Sequence, residues 1–286
     1  GTRNVAVGAY ALGNNVTNSD NTAVGYSALN TLNGGHDNTA VGRNALATLS
    51  TGTQNTAVGV QALNNASTSS NNTMVGMYAG LSITTGGHNT AVGYMSLYGN
   101  QTGTDNIAIG KQALQGVTTG SNNMGIGNDA GRSGSPSGNI STDSNRICIG
   151  NNSHADAFIK VSFTVTSDAR DKTDVTDFTH GLSWIKKLRP VTYRWDMRSN
   201  YENGIPDGSK KDTRLNIGLL AQEELEVEKE HGFANNEDDM LITTENNEGN
   251  YGMKYERIVP ILINAVKELS AKNDALEARL ATLEGS

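Results

Sequence analysis

The 286-residue chain has one cysteine, four prolines, 5% aromatic residues and no long apolar run. The lone Cys148 rules out an internal disulfide framework and any multi-cysteine zinc or iron–sulfur site. With 36% hydrophobic content and few aromatics the composition does not fit an aromatic-rich sandwich, and 33 glycines against four prolines do not make a collagen. No stretch reaches the ~20 apolar residues of a membrane-spanning helix, and no signal-peptide pattern precedes Asn4, so the expectation is a soluble chain without membrane insertion. Positive charge is also scarce. Of 22 Lys/Arg and 29 Asp/Glu, six of each fall in 1–166, leaving 16 and 23 for 167–286. A neutral first part and an acidic second part give no footprint for a polyanion, which excludes nucleic acid as a partner. The length exceeds what one core usually fills, so two units are expected.

What is abundant is a repeat. Asn-x-Ala-Val-Gly runs from Asn4 to Gly8 and from Asn21 to Gly25, and recurs with small variations to Asn123–Gly127 at intervals of 17 residues. A ninth, degenerate copy at 146–150 follows after 23 residues, where the insertion 133–138 breaks the spacing. Each unit reads as a short strand such as Thr22–Gly25, a second apolar step such as Ala28-Leu29, and a polar turn. This is one solenoid coil per unit. Val5 and Val7 share one face of the first strand and Ala6 the other. So few large side chains leave one chain little to bury, and association of several chains is the expected source of a core. The asparagines suit turns or stacked hydrogen-bond ladders. His36 and His88 lie in the related turns 34–36 and 86–88; they read as exposed turn residues, with no metal or other cofactor expected anywhere in the chain. The repeats resemble those of trimeric autotransporter heads and phage tail-fibre shafts, which implies a trimeric β-roll or β-helix.

Beyond the repeats, Ile159, Val161, Phe163 and Val165 alternate with polar residues, the pattern of a half-buried strand over 158–166. At Ser167-Asp168-Ala169-Arg170-Asp171-Lys172 the charge density rises, which places a boundary at 167. Taken alone, this stretch fits a helix start with Ser167 as N-cap and Asp168 in the first turn. It also fits a Ser–Lys pair, provided that burial or a cation such as Arg170 keeps the lysine unprotonated.

Downstream come 182–195 (Leu-Ser-Trp-Ile-Lys-Lys-Leu-Arg-Pro-Val-Thr-Tyr-Arg-Trp), 216–223 (Asn-Ile-Gly-Leu-Leu-Ala-Gln-Glu) and 252–260 (Gly-Met-Lys-Tyr-Glu-Arg-Ile-Val-Pro), then a long helical pattern. Together with the Ser-Asp-x-Arg-x-Lys stretch, this series resembles the C-terminal intramolecular chaperone of phage tailspikes and tail fibres, the autocleaving serine peptidase family of endosialidase-type tailspikes. The resemblance implies a single-turnover endopeptidase with Ser167 as nucleophile, Lys172 as general base, Asp168 and Arg170 in support, and cleavage between Thr166 and Ser167. It also implies a homotrimer assembled in the host cytoplasm and carried on the virion, whose mature shaft meets a host-cell surface receptor.

From Val259 a heptad is readable, with Val259, Val266, Asn273 and Leu280 at one core position and Leu262, Leu269, Leu276 and Leu283 at the other. By itself the β-branched/Leu pattern with a buried Asn leans toward dimers, so the trimer rests on the resemblance and the repeats. The segments 199–214 and 231–250, the second with acidic Glu237, Asp238, Asp239, Glu245 and Glu248, read as loops. The expected fold is a mainly β N-terminal part followed by an α+β chaperone domain ending in a coiled-coil helix. Its divisions are a shaft at 1–166, a globular chaperone and peptidase domain at 167–258, and a helix at 259–286. The competing reading is a trimeric surface adhesin with a non-cleaving trimerisation domain. A glycan hydrolase lacks support, because the repeats offer scattered carboxylates and no visible pair.

Overall fold

The computed structural model describes residues 1–14, 18–154, 156–246 and 249–285. Glu248 of the acidic segment lies outside them. The chain divides into two compact units, 1–157 and 158–286, so the segment 158–166 goes with the C-terminal unit.

The first unit is a β-solenoid. Its nine three-residue strands run β1 (Val5–Val7), β2 (Thr22–Val24), β3 (Thr39–Val41), β4 (Thr56–Val58), β5 (Thr73–Val75), β6 (Thr90–Val92), β7 (Ile107–Ile109), β8 (Met124–Ile126) and β9 (Ile147–Ile149). They pair in parallel in sequence order, each residue opposite its equivalent in the next coil. The middle residue of each strand after the first, alanine in most, points inward and is buried, and its two neighbours point outward. These residues join one continuous buried cluster with the small and aliphatic residues of the second step, Ala28, Leu29 and Leu32 in the coil of Ala23 and Ala79 and Ile83 in that of Met74. Within one chain, stacking of successive coils already buries a continuous row of these side chains.

The recurring asparagine is the polar part of this core. Asn55 Oδ1 accepts the backbone N–H of Asn72 at 3.1 Å, and Asn72 Oδ1 accepts that of Asn89 at 3.0 Å. The same amide donates upward, Asn72 Nδ2 to the Gly86 carbonyl at 3.0 Å. A buried amide whose donors and acceptor are all engaged avoids the desolvation cost of an unpaired one. The ladder survives the insertion at 133–138, because Arg146 N–H still donates to Asn123 Oδ1 at 3.0 Å and β8 still pairs with β9. The extra residues are looped out of the coil.

Tight coiling has a conformational cost. The second-step leucines lie in the left-handed region, Leu29 at φ 47° and Leu63 at φ 50°, where an ordinary residue loses roughly 1 kcal/mol. Stacking offsets it: Leu63 is fully buried and its N–H donates to Ala79 O at 2.9 Å. At Gly59 (φ 136°) an added Cβ would lie 2.5 Å from the Gly76 carbonyl oxygen, so only glycine lets adjacent coils approach.

The C-terminal unit is a small α/β region with a terminal helix. It contains α1 (Leu182–Ile185), the antiparallel pair β10 (Val191–Tyr193) and β11 (Asn216–Gly218), α2 (Ala221–Glu230), the antiparallel pair β12 (Thr243–Glu245) and β13 (Tyr251–Met253), and α3 (Ile258–Glu284). Trp184, Val227, Ile242, Ile258 and Ile261 form its core. The start of α3 is fastened to the segment before α1: Asn264 Nδ2 donates to Phe178 O at 2.6 Å, and Leu182 N–H donates to Glu268 Oε1 at 3.1 Å.

Two expectations are corrected here. The segment 158–166 is not a half-buried strand: among the described residues no strand pairs with it, and its apolar residues are exposed, Phe158 at 96% and Phe163 at 82%. The segment 231–250 is not all loop, because it holds β12. Composition hides β12 because its polar residues carry no alternating apolar pattern, and it forms by pairing with the following strand β13 while Glu228 on α2 captures the backbone leading into it.

Candidate functional site

The stretch 167–172 folds as a short 3-10 turn. Asp168, not Ser167, is its cap, accepting Arg170 N–H at 2.9 Å, and Ala169–Asp171 form the turn. One turn later the chain has reversed enough to bring Lys172 Nζ to 2.7 Å from Ser167 Oγ. The two groups that the resemblance singled out are thus in hydrogen-bond contact through purely local structure. Both are exposed in the single chain, as is Thr166, which carries the carbonyl before Ser167.

Arg170 turns toward Asp168. Its guanidinium lies on Asp168, with Nη2–Oδ2 at 2.6 Å and Nε–Oδ1 at 3.1 Å. That hydrogen-bonded pairing, helped by the Arg170 backbone N–H, holds the Asp168 carboxyl below the usual aspartate range and raises Arg170 above its own. Asp168 therefore has two partners, and the pair braces the turn.

Sequence reasoning missed two buried carboxylates on α2. Glu228 is fully buried and accepts three backbone N–H groups, from Leu241 at 2.8 Å, Ile242 at 3.0 Å and Thr243 at 2.6 Å, fixing the approach to β12. One turn earlier Glu224 accepts the Trp184 indole N–H at 2.8 Å, while its second oxygen is buried with no hydrogen-bond partner among the described residues. Burial pushes the Glu224 carboxyl up to about 7; the indole hydrogen bond opposes the shift and Glu228 adds to it. A signal was present: Glu224 and Glu228 are four apart, on the helix face that also carries Leu225.

The two histidines of the repeats are not equivalent. His36 Nδ1 lies 2.8 Å from Asp37 Oδ2, whereas His88 occupies the left-handed turn position (φ 58°) that Asp37 fills in its own coil. Among the described residues no group of three or more His, Cys, Asp or Glu is arranged to hold a metal ion.

No curated protein and no solved structure matches the chain. A family model does, over residues 167–233, and its description is chaperone of endosialidase, Peptidase_S74. The matched segment begins at Ser167 itself and supports a chaperone role for the C-terminal region. With a β-solenoid ahead of it, the chain is similar to a tailspike chaperone region that follows a β-structured shaft.

Proposed function

We propose that this chain is the C-terminal region of a homotrimeric phage tail fibre, in which 167–286 is an intramolecular chaperone that aligns three copies of the preceding solenoid and then detaches by cutting its own chain before Ser167. The observation that carries the reading is the 2.7 Å contact between Lys172 Nζ and Ser167 Oγ at the first residue of the family match.

The chemistry follows from that contact. Ser167 Oγ attacks the Thr166 carbonyl carbon as Lys172 Nζ takes its proton. Collapse of the tetrahedral species breaks the Thr166–Ser167 amide, the Ser167 nitrogen receives the proton, and Thr166 remains as an ester on Ser167 Oγ. Water then hydrolyses the ester, leaving a Thr166 carboxylate and a free Ser167 hydroxyl. A lysine serves as base only when neutral, and an exposed ammonium is charged at neutral pH. Burial under a neighbouring copy supplies the missing desolvation, which makes cutting a consequence of assembly.

Trimerisation is supported by α3. Its heptad leucines are exposed in the single chain, Leu276 at 60% and Leu283 at 68%. The flanking charges favour parallel copies: Lys272 and Arg279 each sit five residues before an acid, Glu277 and Glu284, the spacing at which flanking positions of neighbouring parallel helices meet.

Intact-mass analysis under denaturing conditions of the purified wild type beside Ser167→Ala and Lys172→Ala tests the reading. Fragments 1–166 and 167–286 from the wild type, with both variants whole, are expected. A wild type that stays a single 30.2 kDa chain while fully trimeric overturns the protease role and favours a permanent trimerisation domain on a surface adhesin.

A further inference from the structure

The outward face of the solenoid sheet carries two columns of side chains, one from the first and one from the third residue of each strand. The third-residue column is aliphatic in every coil, from Val7 to Ile149. The first-residue column changes along its length: after Val5 it is threonine from Thr22 to Thr90, then Ile107, Met124 and Ile147. The apolar face is thus one column wide over β2–β6 and two columns wide over β7–β9. At the last strand both residues are 72% exposed.

We propose that this face is where copies of the solenoid meet, and that its two-column end, Ile107, Met124 and Ile147 beside Ile109, Ile126 and Ile149, is where they first engage. The inference rests on the homotrimer reading above. What commits the face to a second copy is its period. Its side chains recur at the strand spacing of a parallel sheet, about 4.8 Å, over eight steps or about 38 Å, and only a surface with the same period matches them coil by coil. Another copy of this sheet presents that period, with the wide end at the same level.

Magnitude assigns the face its role. A stripe about 38 Å by about 10 Å offers each copy roughly 400 Å², about half of what one partner contributes to a standard stable interface. It therefore selects the mode of pairing and depends on the C-terminal unit to hold the copies together. Slipping one copy by a coil sets Thr90 against Ile107, so the change in the column also opposes misregister.

Thr90→Cys, one coil before the wide end, tests the face in the full-length protein. The native thiol does not compete, because Cys148 is buried and takes the Gly131 N–H. Refolding under mild oxidation should give 90–90 cross-links between copies. Adding Ile107→Thr, Met124→Thr and Ile147→Thr makes the column threonine to its end and touches no inward-facing side chain. The cross-link should then appear about tenfold more slowly, whereas Val5→Thr at the far end should match the parent. Trimers by light scattering that never form the 90–90 cross-link overturn the face. Equal rates for the triple variant and the Val5→Thr control overturn the order of engagement. A chain that stays monomeric overturns the homotrimer itself, a separate failure.

Discussion

The two units bury polar groups in opposite ways. The solenoid buries a neutral amide once per coil, each passing hydrogen bonds to the next. The C-terminal unit buries two carboxylates on one helix face, one saturated by backbone N–H groups and one with an oxygen unpartnered among the described residues. Neutral amides carry no proton to gain or lose, so the first core is indifferent to pH and the second is not. They also differ in what they leave exposed. The solenoid completes its core within one chain and leaves aliphatic columns on its sheet face, whereas the C-terminal unit leaves the apolar side chains of 158–166 and the heptad residues of α3 exposed.

The comparison breaks most sharply if a charge enters the solenoid. Asn72→Asp keeps an acceptor for Asn89 N–H but turns a carboxylate oxygen toward the Gly86 carbonyl and Asn55 Oδ1. It should destabilise the solenoid by about 4 kcal/mol at neutral pH. The folded-state pKa of the new group is raised, so stability should recover as pH falls, visible in urea midpoints followed by circular dichroism. The unsubstituted solenoid should show no such recovery.

In the C-terminal unit the pH dependence is already present. Glu224 titrates at about 7 in the fold against 4.5 when free. The folded state therefore holds its proton more tightly, and stability is full below pH 4.5 and lost as pH rises through 7. The loss is at most about 3 kcal/mol. Both tryptophans, Trp184 and Trp195, belong to this unit, so fluorescence-detected unfolding reads it alone. The midpoint should fall between pH 5 and pH 8 in the wild type and stay level in Glu224→Gln.

Glu228→Gln sharpens the contrast between saturated and unsaturated carboxylates. The variant puts an NH2 group where one carboxylate oxygen accepts a backbone N–H, at a cost of about 2 kcal/mol in the same fluorescence measurement. The smallest effect belongs to the turn. Arg170 and Asp168 pair in solvent, so Arg170→Ala should leave the unfolding midpoint unchanged. Asp168→Ala, which also removes the cap, should slow the appearance of the 1–166 fragment more than Arg170→Ala does.

The solenoid was legible in the sequence almost residue by residue. The 17-residue period, the inward alanine, the ladder-forming asparagine and the glycine that lets coils approach all appear as a repeated string. Ser167 and Lys172 were singled out by the resemblance of the C-terminal motifs, because spacing alone fits a helix start as well; their contact spans five residues. Glu224, Glu228, β12 and the placement of Arg170 were harder. An acidic run on a helix looks like a solvated face until Trp184, 40 residues away, packs on it, and Arg170 could as readily have faced Lys172 as Asp168.

The sequence by itself determined what repeats with the period, where a residue's partner is its own equivalent one coil away: the coil, its inward alanine and its asparagine ladder. Periodicity turns long-range contact into a local rule, since whatever residue i needs, residue i+17 supplies. Only the tertiary structure decided which carboxylates are buried, that Arg170 turns to Asp168, and that the apolar side chains of 158–166 stay exposed. Those outcomes depend on unlike groups competing for the same surface or the same partner, and no spacing within a segment records which of them prevails.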